Sequence, residues 1–117
     1  MCINMGITKE EIIKINKKYG GCPLHISNLE FDLENANSEK NVYISCSHLI
    51  RGIVCGHAFL DGCKSTASEI VLRKLERENI ICDEKCLARF MIRIAKKNHT
   101  IKQIEKALRK ICKLKNK

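Results

Sequence analysis

The residues best suited to chemistry lie together in the run Gly56-His57-Ala58-Phe59-Leu60-Asp61-Gly62-Cys63-Lys64-Ser65-Thr66-Ala67. It reads as a polar loop that opens a helix. The first backbone N–H groups of a helix lack intrahelical partners and carry partial positive charge, so they attract anions. Gly62 lets the backbone approach an anion closely, and Lys64 adds a full positive charge beside it. These features converge on a phosphate cradle formed by Gly62, Cys63, Lys64, Ser65 and Thr66. Asp61 is placed to hold Mg²⁺ on the phosphates. His57, neutral near pH 7, is suited to take a proton from an incoming hydroxyl. Phe59 is expected to point inward and anchor the loop. A plainer reading remains open on spacing alone: an interhelix loop with a buried phenyl ring and a surface imidazole.

The elements that must position this loop follow from apolar periodicity. Thr8 and Glu11 form a capping box, and Ile12, Ile15 and Tyr19 recur at helical spacing until Gly20-Gly21 and Pro23 stop the helix. Cys22 to Asn37 carries a weak signal, either one short helical turn or an irregular loop. A second strong helix is expected from about Ser38 to Cys55, with Val42, Cys46, Leu49, Ile50, Ile53 and Val54 on one stripe. A third runs from about Ser65 to Asn79 with Ala67, Ile70, Val71 and Leu75 inward. Asp83 caps a fourth bearing Leu87, Phe90, Met91 and Ile94. Thr100 and Gln103 form a capping box for a last one bearing Ile104, Leu108 and Ile111. No segment alternates with period two over a useful length. The expected fold class is therefore all-α: a compact single-domain helical bundle over residues 1–117, with five to seven helices and no sheet.

The chain has 117 residues, 44% of them apolar, which is one domain with one modest core. No stretch is long and apolar enough for a membrane span. Met1 to Glu11 has no apolar leader segment and carries Lys9, Glu10 and Glu11, so a cytoplasmic protein is expected. The net charge is +9 and is unevenly placed. Residues 1–58 hold six basic and six acidic side chains, whereas residues 59–117 hold sixteen and seven. The excess lies largely on the last two helices, as one stripe of Lys85, Arg89, Arg93, Lys96 and Lys97 and another of Lys102, Lys106, Arg109, Lys110 and Lys113. An anionic partner fits this charge. A solvated helical face explains the stripes more simply than a nucleic-acid surface does, because two Tyr and three Phe leave few rings for bases to stack on.

The eight cysteines form no C-x-x-C pair. Cys46-x-His48 and Cys55-x-His57 place their members on opposite sides of a helix, which argues against a structural zinc. Most of the cysteines are expected to be small buried hydrophobes in a reduced protein. For Cys63 two readings stay open. A helix N-terminus and Lys64 favour a reactive thiolate with lowered pKa, whereas packing as a small apolar group keeps the thiol protonated.

The run 57–67 resembles the H-x-F-x-D-G/A-N-K-R-T-A signature of the Doc toxins, the short branch of the Fic superfamily. His57, Phe59, Asp61, Gly62, Lys64, Thr66 and Ala67 match it in place. The resemblance extends to the first helix, which ends in Tyr19-Gly20-Gly21, to the helices on either side of the motif and to the two-helix tail. The stretch between Gly21 and His57 is shorter than the family leads one to expect. The resemblance implies a Fic/Doc-type bundle, with ATP and Mg²⁺ as cofactors, that transfers a phosphoryl or nucleotidyl (AMP) group to a protein hydroxyl such as a translation-factor threonine. It implies the toxin half of a toxin–antitoxin pair, with a small antitoxin protein as partner. His57 would be the general base, Asp61 the Mg²⁺ ligand and Lys64 a phosphate contact. Two positions depart from the signature: Cys63 stands where the family has Asn, and Ser65 where it has Arg. A thiol is a weak donor and a hydroxyl carries no charge. The motif is thus degenerate. Either a nearby base such as Arg51, Arg73 or Lys74 compensates, or the chain is a catalytically silent Fic/Doc-fold module that binds nucleotide or protein.

Overall fold

The computed structural model describes residues 6–114 of the chain, with side chains through Cys112. Six helices account for most of it: α1 (Lys9–Lys18), α2 (Ser27–Ser38), α3 (Val42–Ile50), α4 (Cys63–Arg77), α5 (Glu84–Lys96) and α6 (Ile101–Ile111). Their caps are the expected ones at α1, α5 and α6. Thr8 Oγ1 accepts from the Glu11 N–H, Asp83 accepts from Lys85 and Cys86, and Thr100 accepts from Gln103. Each such cap satisfies a backbone donor that the helix itself leaves unpaired.

The core is one continuous apolar cluster. Helix α3 contributes Cys46, Leu49 and Ile50 and packs against α2, α4 and α6. Ile12 and Ile15 of α1, Ile70, Val71 and Leu75 of α4, Leu87, Phe90 and Met91 of α5, and Ile104 and Leu108 of α6 close around it. Each fully buried side chain of this size contributes about 1.5–3 kcal/mol. Tyr19 departs from the expected stripe: it is 41% exposed.

Three features differ from the periodicity reading. Residues 27–38 form a full helix, although Ile26 precedes it without a side-chain cap. Its Ser- and Asn-rich sequence has little intrinsic helix preference, but Leu29, Asp32 and Ala36 share one face and are buried against α3 and the turn after it. The next helix begins later than expected, at Val42 behind an Asn41 cap, and after Ile50 it widens into a π turn over Arg51–Cys55. Gly52 lies in that turn, where an added Cβ would fall 2.9 Å from Leu29 Cδ1 and 3.0 Å from Asp32 Cβ, so α2 packs directly on its backbone. Finally, the fold is not free of sheet. Ile80–Cys82 (β1) pairs antiparallel with Cys112–Leu114 (β2), in the register Ile80 with Leu114 and Cys82 with Cys112. Three residues are too few for a two-residue alternation to stand out from helical patterns on either side. Lys113, expected on the last helix stripe, falls in β2.

Candidate functional site

The π turn delivers the chain to the loop that precedes α4. Its wider hydrogen bonds run from the Gly56 N–H to the Arg51 carbonyl at 2.9 Å and from the Ala58 N–H to the Ile53 carbonyl at 3.3 Å. His57 then takes a left-handed conformation, φ 49°. A non-glycine residue there carries strain on the order of 1 kcal/mol, a feature that concentrates at functional sites. The His57 imidazole is exposed.

The segment after α1 clamps this loop. The Ala58 carbonyl accepts from the Leu24 and His25 N–H groups at 2.9 and 3.1 Å, and the Leu60 N–H donates to the Cys22 carbonyl at 2.9 Å. Pro23 and Phe59 thus face each other in a single antiparallel bridge, and the Phe59 ring is buried as expected. The fully buried Asn16 of α1 adds a second clamp. Its Nδ2 donates to the Asp61 carbonyl at 2.8 Å and to Thr66 Oγ1 at 3.1 Å. Gly21 allows this approach, because an added Cβ would stand 2.2 Å from the Asp61 carbonyl oxygen. The sequence held a signal for Asn16 that periodicity alone does not use: a polar residue four positions after Ile12, on the inward face of α1.

Gly62 sits before α4 with φ 75°, a conformation that glycine adopts freely. Unlike α1, α3, α5 and α6, helix α4 has no side-chain cap at its start. Lys64 and Ser65 are exposed in its first turn. Both line a cleft of about 510 Å³ between α4 and α5, together with Tyr19, Arg73, Met91 and Ile92. Asp61 is exposed on the loop, where its Oδ1 accepts from the Gly62 N–H at 2.8 Å. His57 and Asp61 do not line that cleft.

Two members of the expected cradle face inward. Thr66 is fully buried, its hydroxyl accepts from Asn16, and its N–H donates to the Gly62 carbonyl at 2.9 Å. Its part is to lock the loop to α1. Cys63 is half-buried, and its Sγ donates to the Phe59 carbonyl at 3.2 Å. Burial pushes this thiol up, outweighing the nearby Lys64 charge. The structure therefore overturns the reactive-thiolate reading and supports the packed thiol. Cys112 is buried, and Cys2 lies outside the described residues.

Of the bases weighed as substitutes for the missing arginine, Arg51 donates to the buried Asp32 at 2.8 Å. Lys74 lies toward Glu11 and Arg77 on another side of α4. Arg73 is the one that shares the cleft with Lys64 and Ser65. It pairs with Glu69, which also takes Lys18 Nζ at 2.8 Å and the Tyr19 hydroxyl. Burial alone would raise the Glu69 carboxyl, but Lys18, Tyr19 and Arg73 outweigh it and hold the group below the ordinary glutamate range.

Among the described residues, no three His, Cys, Asp or Glu side chains are disposed to hold a metal ion. Asp61 is thus a single carboxylate, which suits Mg²⁺ only where phosphate oxygens and water supply the remaining ligands. No helix of the described residues is long and apolar enough to cross a membrane. Comparison with protein-family models, curated proteins and solved structures finds no match to this chain.

Proposed function

We propose that this chain is a Doc-like transferase: it binds ATP with Mg²⁺ and transfers a phosphoryl (or nucleotidyl) group to a protein hydroxyl, as the toxin of a toxin–antitoxin pair acting on a translation factor. The observation that carries the reading is the start of α4, an uncapped helix N-terminus behind a left-handed Gly62 with Lys64 exposed in its first turn. Unpaired N–H groups, the helix dipole and an ammonium then act on one anion. The exposed His57 serves as the base that accepts the proton of the incoming hydroxyl. Asp61 supplies the carboxylate of a Mg²⁺ held mainly by the triphosphate, an ion that neutralises phosphate charge when bound. Arg73, about two turns along α4 from Ser65 and lining the same cleft, is the basic side chain nearest to standing in for the family's arginine once it leaves Glu69.

A second reading has its own observation. Cys63 spends its S–H on the Phe59 carbonyl and offers no donor to a phosphate. That favours a module that binds nucleotide but transfers nothing. Losing one preorganised donor lowers a rate by about 10²–10³-fold.

Two measurements separate these. Calorimetry with ATP–Mg²⁺ should show binding that Lys64→Ala weakens about 10- to 100-fold, the range for a hydrogen bond to a charged group. Equal affinity in both proteins removes the α4 start from the site. Incubation of a translating extract with γ- and α-labelled ATP should give a labelled protein band that His57→Ala abolishes, the label position distinguishing phosphoryl from AMP transfer. Binding without any label leaves the silent module. Cys63→Asn with Ser65→Arg should raise the transfer rate, and no gain in a folded protein counts against these roles.

A further inference from the structure

The proposed site uses one of the eight cysteines, and the fold distributes the others unequally. Cys22 is exposed, Cys55 and Cys86 are half-buried, and Cys46, Cys82 and Cys112 are buried. The last three lie near one another, and register makes two of them a pair. In the β1–β2 ladder Cys82 stands directly opposite Cys112. Directly opposed residues of antiparallel strands have Cα atoms about 4.5 or 5.5 Å apart and side chains on the same face. A disulfide spans Cα separations of roughly 4.4–6.8 Å. The register therefore brings these two thiols within bonding reach without moving the backbone. Both are free thiols, and the Cys82 S–H donates to the Asp83 carbonyl at 3.9 Å.

We propose that Cys82 and Cys112 form a reversible cross-strand disulfide, a thiol–disulfide exchange site whose co-substrate is a small disulfide of the glutathione disulfide class. Cys112 Sγ attacks one sulfur of the small disulfide, the S–S bond breaks, one thiolate leaves, and a mixed disulfide remains on Cys112. Cys82 Sγ then attacks Cys112 Sγ, the protein disulfide forms, and the second thiolate leaves. The two protons shed by Cys82 and Cys112 go to the two departing thiolates. The protein is oxidised by two electrons and the small disulfide is reduced to two thiols. The order follows from the effect of each sulfur on the other: the neighbouring Cys82 holds the Cys112 thiol below the ordinary range, whereas Cys112 and burial raise that of Cys82. Cys46 lies on α3 and has no place in the β1–β2 register, so no strand pairing sets it opposite either thiol.

Reagent reaches the pair when the ladder opens. The ladder is three residue pairs long, and β1 is the only strand paired with β2 among the described residues. Short ladders of this kind open locally at little cost. Once formed, the bond closes residues 83–111, the segment that holds α5, α6 and their cations. It fixes the base of that hairpin and constrains the unfolded chain.

The test uses the full chain in non-denaturing buffer with glutathione disulfide, followed by alkylation and non-reducing peptide mapping. Trypsin separates Cys82 and Cys112 into fragments 78–85 and 111–113, with Cys86 in neither. The expected result is a linked pair of those fragments, a loss of two hydrogens from the intact mass, and a rise in Tm on the order of 10 °C that dithiothreitol reverses. Cys82→Ser and Cys112→Ser should each lose the bond and the shift, and Cys46→Ser should keep both. The map of the unmutated protein decides by itself should a variant not fold. Cys112 linked to a different cysteine, stable glutathione adducts with no internal bond, or two thiols still open to alkylation would overturn the proposal.

Discussion

The loop before α4 and the α5–α6 hairpin are built on opposite plans. In the loop, several polar groups are answered from distant parts of the chain. Asn16 holds Asp61 and Thr66, Cys22 holds Leu60, Leu24 and His25 hold Ala58, and Asn28 Nδ2 holds the Gly56 carbonyl at 3.0 Å. In the hairpin the apolar stripes are buried, but the cations answer to almost nothing. Among the described residues of α5 and α6, Arg109 alone has a carboxylate at ion-pair distance, Glu105 at 2.9 Å. Two cations of α1, by contrast, pair across elements, Lys9 with Glu30 and Lys18 with Glu69. Position is held tightly in one region, and charge is left free in the other. A site that must place a base and a phosphate needs the first plan. A face that meets water or an anionic partner needs only the second.

The largest expected effect tests the anchor. Phe59→Ala should lower stability by about 3–5 kcal/mol, measured by urea unfolding, since it empties a fully buried site where three segments meet. A loss below about 1 kcal/mol would show that the loop is not held by its ring. Asn16→Leu is next, at about 2–4 kcal/mol, because it strands the Asp61 carbonyl and leaves Thr66 Oγ1 without its donor. It should also weaken ATP binding, although Asn16 reaches no ligand. Gly62→Ala should cost about 1–2 kcal/mol, from φ 75° and a Cβ 3.1 Å from Tyr19 and Asn16.

Smaller effects probe the charges. The Glu69 carboxyl is depressed in the folded protein, so its contribution is complete above the ordinary glutamate value of 4.5 and is lost as pH falls through the folded value. Glu69→Gln should flatten that acid limb of the stability curve, and an unchanged limb would show that the Lys18, Tyr19 and Arg73 contacts do not persist in solution. On the hairpin, Lys96→Gln or Lys106→Gln should change stability by less than about 0.5 kcal/mol. A larger loss would reveal that these exposed cations are structural and erase the contrast.

What was legible in the sequence was local. Capping boxes at Thr8 and Thr100, the Asp83 cap and the stripes of α1, α4, α5 and α6 each depend on residues within one or two turns, so period and cap chemistry suffice. The exposure of His57 and Lys64 and the burial of Phe59 match what their residue types imply. Tertiary structure decided whatever depends on a distant neighbour. Helix α2 exists because Leu29 and Ala36 find cover on α3, not because its residues favour a helix. The π turn and the close packing of Gly52 on α2 are set together. Thr66 became a locking residue because Asn16, fifty positions earlier, reaches it. Cys63 became a protonated, packed thiol because the Phe59 carbonyl lies against it and burial outweighs the charge of Lys64. Sequence spacing names the groups available to a site. Burial and long-range hydrogen bonds determine which of them still face a ligand.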